Sequence, residues 1–154
     1  MALSIEPAAL DDPAAVALVS ASVSELEGRY DGEPGSGAIP QPEYFVPPDG
    51  LFLLAQLDGR AVGCGGIARI DAAAAELKRL YVAPVARGHG VGRALLRSLL
   101  AGAADLGYAR VRLETGERMP EALALYRSVS FEPVPCWGPY ADHPRSRCFE
   151  LVLP

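Results

Sequence analysis

Basic residues are scarce and scattered in this sequence. Lysine is almost absent, arginine supplies most of the positive charge, and 14 basic residues are outnumbered by 19 acidic ones, for a formal net charge of −5. Neutralising the phosphates of a nucleic acid needs a concentrated basic surface. The composition therefore argues against a general nucleic-acid binder, and we expect no nucleic-acid partner.

A long hydrophobic run is also missing. No segment approaches the roughly 18 consecutive apolar residues of a transmembrane helix, and the first residues show no basic leader followed by an apolar block. We therefore expect no membrane partner and a cytoplasmic location. Half of the 154 residues are hydrophobic, which suits a single compact domain over residues 1–154.

Cysteine is rare. Cys64, Cys136 and Cys148 are an odd number and lack C-x-x-C spacing. This pattern predicts three reduced thiols, with neither a disulfide framework nor a structural metal site. Cys64 falls within a predicted strand, where a small buried thiol is the expected outcome rather than a covalent nucleophile.

The first half of the chain predicts a helix and an antiparallel hairpin. Asp12 and Pro13 offer a cap and a first-turn proline to a helix, whose predicted apolar face comprises Val16, Val19, Val23 and Leu26. A long loop rich in glycine and proline follows, from Tyr30 to Gly50. Asp58-Gly59 then separates two apolar runs and predicts a two-residue hairpin turn.

The second half has the pattern of a βαβ unit. Apolar residues alternate imperfectly over residues 75–82, a helix with apolar residues at helical spacing begins at Val91 and closes at Gly107, and a strand follows at 109–113. The helical crossover makes the two strands parallel. Pro120 opens another helix, and a final strand pair completes an α/β fold with a mixed sheet.

A glycine-rich turn, Arg87-Gly88-His89-Gly90-Val91-Gly92, joins strand 75–82 to the helix that follows it. Glycines let the backbone approach a ligand closely, and the helix start offers unpaired N–H groups that attract phosphate. The same glycines could simply make a tight turn. The turn lacks the Gly-Lys-Ser/Thr triplet of a P-loop and the last spacing of a dinucleotide fingerprint. Glu114 nevertheless lies about where a ribose-binding acid would, so NAD(P)-dependent oxidoreduction stays open as an alternative.

The turn and its flanks resemble the GNAT superfamily of N-acetyltransferases, whose signature is Q/R-x-x-G-x-G/A. Residues 77–84 are similar to the strand that precedes the signature, and residues 122–127 followed by Phe131 are similar to a later helix, so the resemblance covers essentially the whole chain. It implies antiparallel N-terminal strands, a central parallel pair that splays apart, and flanking helices. It also implies acetyl transfer from acetyl-CoA to a primary amine, directly within a ternary complex and without a metal.

The resemblance also implies the residues that bind coenzyme A. Backbone amides of the signature would hold its pyrophosphate, and the end of the preceding strand would pair with the pantetheine arm. The thioester would lie where the parallel strands splay, with a strand N–H such as that of Val82 polarising its carbonyl, a contact worth roughly 3 kcal/mol. The implied residues are Leu80, Tyr81, Val82, Arg87, Gly88, His89, Gly90, Val91, Gly92 and Arg93.

Two side chains match the family's acid–base chemistry. An alkyl ammonium has a pKa of about 10, so a base must remove its proton before acetyl transfer. Glu76 occupies the position of the family's glutamate base, although a solvated carboxylate paired with Lys78 or Arg79 is an equal alternative. Tyr126 matches the family's general acid, which protonates the departing thiolate; the alternative is a core tyrosine with a hydrogen-bonded hydroxyl.

Acceptor recognition is the least constrained part of the prediction. Aromatic side chains from two loop regions are assigned to the acceptor pocket: Tyr30, Phe45, Trp137 and Tyr140. We expect a small-molecule amine as acceptor, and the resemblance is compatible with a homodimer. Met119 replaces a frequent asparagine and Ser130 a frequent glycine, and these departures support the other alternative, a non-catalytic coenzyme A-responsive binding module.

Overall fold

The computed structural model describes residues 2–31 and 42–154, so most of the proline-rich loop lies outside the described residues. Within them the chain forms seven strands: β1 (Leu3–Pro7), β2 (Leu51–Leu57), β3 (Arg60–Arg69), β4 (Ala74–Val82), β5 (Arg110–Gly116), β6 (Glu132–Val134) and β7 (Ser146–Val152). The α-helices of the same residues are α1 (Pro13–Arg29), α2 (Val91–Asp105) and α3 (Pro120–Ser128). None of these helices combines the length and hydrophobicity that a bilayer crossing requires.

The strands form one mixed sheet in the order β1-β2-β3-β4-β5-β7-β6. Only β4 and β5 are parallel among the paired strands of the described chain, because α2 crosses over between them. Their pairing begins at Ala74 with Arg110 and ends at Leu77 with Leu113. Both strands continue beyond this point, so an opening separates 78–82 from 114–116. We call this opening the strand gap. The mixed sheet with its central parallel pair confirms the predicted fold class.

A bulge in β4 explains the imperfect alternation of its sequence. Arg79 has a left-handed backbone (φ 61°), and the register with β3 shifts by one residue at this level. The extra residue returns Leu80 and Val82 to the α2 side, where Leu77 is buried. Glu76 and Lys78 alternate with the buried residues of that side and therefore lie on the opposite face.

Hydrophobic cores cover both faces of the sheet. One core contains residues of α2 and α3. The residues of α2 that it buries include four at the predicted helical spacing: Val91, Leu95, Leu99 and Ala103. The other core contains α1 and a short 3-10 turn, Pro42–Phe45. Two predicted turns are also present. Asp58 (φ 51°) and Gly59 (φ 81°) form the hairpin turn, and Gly107 (φ 96°) follows the end of α2.

The buried face of α1 differs from the prediction. The helix begins as expected, with Asp12 Oδ1 accepting from the Ala14 N–H at 2.9 Å. Its buried residues, however, are Ala15, Leu18 and Ser22, whereas Val16 is 52% exposed. Ala15 and Leu18 pack in the cluster that contains the bulky rings of Phe45 and Phe52. Small helix residues suit a face that aromatic side chains already fill, which the helical periodicity of the sequence could not reveal.

The prediction of three reduced thiols is wrong for two of the cysteines. Cys136 and Cys148 form a disulfide, with their Cα atoms 5.2 Å apart. The antiparallel pairing of β6 and β7 sets Val134 opposite Cys148, so the chain leaving β6 carries Cys136 to the same place. Cys64 is a free and fully buried thiol, as predicted, and burial raises its pKa to about 12.

Candidate active site

The glycine-rich turn leaves open space at its two left-handed glycines. Gly88 has φ 83° and Gly90 has φ 79°, and Gly90 directly precedes α2. A Cβ atom added to either residue would meet no other atom within 4 Å. The turn therefore presents exposed backbone and a helix N-terminus to an unfilled cradle, a combination that fits a phosphate group.

The glycine-rich turn lies next to α3 and to the C-terminal end of β4. A Cβ at Gly92 would lie 3.5 Å from Leu125 and 3.6 Å from Val82. Arg93 also reaches α3, donating a hydrogen bond to Ser128 Oγ at 2.9 Å. The first turn of α2 therefore contacts α3, which carries Tyr126, and the end of β4, which borders the strand gap.

The side chain of Arg87, the first residue of the glycine-rich turn, contacts both β4 and α1. Its Nε donates to the Val82 carbonyl at 2.9 Å, and its Nη2 contacts both carboxylate oxygens of Glu25 at 2.7 and 3.0 Å. The guanidinium also lies 5.7 Å from the ring centroid of Tyr81, which is itself buried. These side chains tie β4 to α1.

Tyr126 is a buried residue of α3. It is 7% exposed, and its ring meets that of Phe131 edge-on at 5.8 Å. Burial raises the pKa of its hydroxyl well above the ordinary value, and the negative charge of Glu114 raises this pKa further. The hydroxyl therefore stays protonated at any ordinary pH.

On the other face of the sheet, Glu76, Lys78 and Tyr140 form one hydrogen-bonded group. The Tyr140 hydroxyl donates to Glu76 Oε2 at 2.6 Å and accepts from Lys78 Nζ at 2.8 Å, while Lys78 Nζ lies 3.2 Å from Glu76 Oε2. Glu76 does pair with Lys78, as one alternative held, but its side chain is only 14% exposed. Burial, followed by the hydrogen bond to Glu76, raises the pKa of Tyr140.

Two further aromatic residues of the predicted acceptor pocket lie at the same end of the sheet. Trp137 packs edge-on against Tyr140 at 5.4 Å. Tyr30 accepts a hydrogen bond from the Arg118 N–H at 2.9 Å, and its hydroxyl fills the space that a Cβ at Gly116 would need. Tyr30 therefore lies at the C-terminal end of β5, whereas Trp137 lies beside Tyr140.

Phe45 does not join this group. It is 2% exposed and packs edge-on against Phe52 at 5.8 Å, over the face of β3. A Cβ at Gly66 would lie only 2.4 Å from its ring. Phe45 is therefore a core side chain. The sequence around it is typical of a loop and did not indicate this burial.

The sequence interpretation overlooked a pair of polar residues beside the gap. Ser146 Oγ donates to Glu114 Oε2 at 2.6 Å, and Ser146 is buried. The sequence pattern indicates only a ribose contact for Glu114. The alternation of β5 could have assigned it to the face of Glu76, but its contact with Ser146 depends on the pairing of β5 with β7.

A cavity of about 500 Å³ opens next to the Glu76 group. Tyr140 and Ser146 belong to its wall, together with the Cys136–Cys148 disulfide and residues of α3 such as Leu123 and Arg127. Its volume falls within the range of small-molecule sites.

Comparisons with known proteins identify the family of this chain. Residues 20–131 match the model of the Acetyltransferase (GNAT) family. An IAA acetyltransferase of Azospirillum brasilense is 39% identical over 110 residues, which cover 71% of this chain and 72% of that protein. A Klebsiella pneumoniae structure assigned as an acyl-CoA N-acyltransferase is 29% identical, with a TM-score of 0.83 over 98% of this chain and 97% of the other.

A more distant structure shares the fold with its donor substrate bound. The GNAT acetyltransferase of Elizabethkingia anophelis, determined with acetyl-CoA, has a TM-score of 0.69 and 19% identity, and the match covers 98% of each chain. None of these comparisons supports the oxidoreductase alternative, and they favour an enzyme over a non-catalytic module. On the family match, the curated relative and the shared fold, this chain belongs to the GNAT acetyltransferase family and is an acyl-CoA-dependent acetyltransferase.

Proposed function

We propose that this enzyme transfers an acetyl group from acetyl-CoA directly to a primary amine of a small molecule, within a ternary complex. The observation that carries this proposal is the strand gap, which separates β4 from β5 beyond Leu77 and Leu113. Tyr126 comes from the helix that covers one face, and the Glu76 group lies on the other face. Donor and acceptor can therefore approach the gap from opposite sides.

The donor side is proposed to run from the glycine turn to the gap. The cradle at Gly88 and Gly90 suits the pyrophosphate, and the end of β4 at Leu80 and Val82 suits the pantetheine arm. The acetyl-CoA-bound fold neighbour supports this choice of donor. Acetyl-CoA supplies the activated acetyl thioester, and this chain's backbone holds and orients it.

We expect Gly90→Ala to raise the dissociation constant for acetyl-CoA about tenfold or more, because its methyl group enters the phosphate cradle and a left-handed alanine costs about 1 kcal/mol. Titration calorimetry with acetyl-CoA measures this change. Gly59→Ala is the matched control, because Gly59 has φ 81° and open space but lies in the distant hairpin. Equal dissociation constants for the two variants would remove the turn from the binding site.

On the acceptor side, Glu76 is proposed as the base and Tyr140 as its relay. The amine nitrogen gives a proton to the Tyr140 hydroxyl as that hydroxyl passes its own proton to Glu76, over the 2.6 Å hydrogen bond already present. The amine lone pair is then available to attack the acetyl carbonyl. The bond between the acetyl carbon and sulfur breaks, coenzyme A departs as a thiolate, and the new amide nitrogen releases its second proton to solvent. Tyr126 is proposed to donate a hydrogen bond to the departing thiolate.

The proposal is tested by incubating the protein with acetyl-CoA and a panel of primary amines. The amines should include amino acids, polyamines and aminoglycosides, and released coenzyme A thiol and acetylated product are both quantified. We expect turnover with at least one small amine and none without an acceptor. Tight binding of acetyl-CoA without turnover of any amine, including peptide and protein amines, would refute amine acetylation.

A further inference from the structure

Arg79 occupies the bulge of β4 at the edge of the strand gap. The pairing of β4 with β5 ends at Leu77, so Arg79 is the second residue beyond it. Arg79 and Leu80 together lie opposite the single residue Gly65 of β3, and the backbone of Arg79 is left-handed (φ 61°). A residue with a Cβ atom adopts this conformation at a cost, and such strained residues cluster at binding and active sites.

The side chain of Arg79 lies on the face of the sheet that carries Glu76. Its electrostatic neighbours are Cys64 and Tyr140. Cys64 belongs to the core on the α1 side, and the Tyr140 hydroxyl donates its hydrogen bond to Glu76. The charge of Arg79 acts in turn on Tyr140, lowering a pKa that burial and the bond to Glu76 raise. The guanidinium is therefore beside the proposed proton relay.

Arg79 is a half-buried cation without a counter-ion in the described part of the chain. No hydrogen bond or ion pair with a described residue engages its guanidinium, and Glu76 is paired with Lys78. Its two electrostatic neighbours are uncharged at ordinary pH, because burial raises the pKa of Cys64 to about 12 and that of Tyr140 well above its usual value. Arginine keeps its charge when it is buried, and a buried charge is stabilised by an ionic partner. A ligand can supply that partner.

We propose that Arg79 binds a carboxylate of the acceptor, so that the preferred acceptors are amino acids, which carry an amine and a carboxylate on one small molecule. This inference rests on the proposed amine acetylation and narrows its acceptor class. The planar guanidinium presents paired N–H donors that match both carboxylate oxygens. With its carboxylate on Arg79, the amino acid presents its nitrogen to the Tyr140 hydroxyl. The adjoining cavity of about 500 Å³, whose wall includes Tyr140, leaves room for the rest of the acceptor.

The kinetic test compares each amino acid with the amine in which hydrogen replaces its carboxylate. In the wild type we expect kcat/KM to be about tenfold or more higher for the amino acid, as a charge-assisted contact provides. Arg79→Gln should raise the KM for the amino acid by a similar factor and leave the KM for the amine without a carboxylate and the acetyl-CoA dissociation constant unchanged. Glutamine also carries a Cβ atom, so the strain of the bulge is retained.

Two further variants separate binding from loss of charge or structure. Arg79→Lys should recover part of the amino-acid preference, because it restores the charge without the paired donors. Arg69→Gln is the matched control and should keep the wild-type preference. Arg69 is exposed on β3 opposite Ala75, at the end of β4 away from the gap. Equal kcat/KM for the amino acids and the matching amines in the wild type would overturn the inference.

Unreactive ligands give a readout without turnover. In the presence of coenzyme A, calorimetry compares the N-acetyl derivatives of the common amino acids with their neutral carboxamides. The wild type should bind the carboxylates more tightly, and Arg79→Gln should lose this preference. An unchanged preference in Arg79→Gln, or none in the wild type, would overturn the role of Arg79. A preference that depends on Arg79, without turnover of any amine, would support that role and refute only the proposed acetylation.

Discussion

Tyr126→Phe is expected to lower kcat for acetyl transfer about a hundredfold while changing the acetyl-CoA dissociation constant by less than about threefold. The loss corresponds to about 2.7 kcal/mol of transition-state stabilisation, the size of one hydrogen bond to a developing anion. The thioester sulfur is uncharged before transfer and becomes a thiolate as it departs. The hydroxyl of Tyr126 therefore contributes more to the rate than to binding.

Burial of Tyr126 decides how it assists. Its pKa is raised well above the usual value of about 10, whereas a thiol has a pKa of about 8.5. Complete proton transfer from this tyrosine to the thiolate is therefore uphill, and donation of a hydrogen bond is the favoured mode. Because the raised pKa keeps the hydroxyl protonated, we expect no loss of activity through ionisation of Tyr126 as the pH rises toward about 10.

Steady-state kinetics and calorimetry with acetyl-CoA measure the two quantities. Tyr108→Phe is the matched control, because Tyr108 is also buried and donates a hydrogen bond, at 2.6 Å, to the Asp49 carbonyl far from the gap. It should lower stability by about 1 kcal/mol and leave kcat unchanged. A wild-type kcat in Tyr126→Phe would make Tyr126 a core residue only.

Reduction of the Cys136–Cys148 disulfide is expected to lower the free energy of unfolding by about 3 kcal/mol. The bond joins residues 12 positions apart, and closure of a loop of this length accounts for that value in the chain-entropy model. The loop also carries Trp137 and Tyr140, so its release should loosen the hydrogen bond between Tyr140 and Glu76. We therefore expect a higher KM for the amine after reduction.

The only tryptophan of the chain, Trp137, makes this change observable. Its fluorescence should shift when a dithiol reduces the protein, and denaturant titrations with and without the dithiol measure the loss of stability. The double variant Cys136→Ser with Cys148→Ser should respond to neither treatment. Cys64→Ala should keep the response to the dithiol, because Cys64 lies outside the bond. An identical unfolding midpoint for wild type in both conditions would contradict the prediction.

The sequence predicted the fold class well because its signals are local. A helix cap, a two-residue hairpin, a glycine turn and the helical spacing of α2 each depend on residues a few positions apart. The predicted buried face of α1 was wrong because the many small apolar residues of this helix leave its hydrophobic periodicity ambiguous. The core location of Phe45 was missed because glycine and proline around it describe the backbone rather than the packing of the side chain.

The sequence by itself determined the parallel crossover between β4 and β5, the glycine turn at the start of α2 and the resemblance to an acetyltransferase, since short-range backbone preferences and hydrophobic periodicity specify these features. Only the tertiary structure decided which polar groups meet. Tyr140 reaches Glu76 across 64 positions of the chain, Ser146 reaches Glu114 across 32, and the disulfide closes over the same end of the sheet. Such contacts depend on strand order and register, which bring together residues that no local pattern relates.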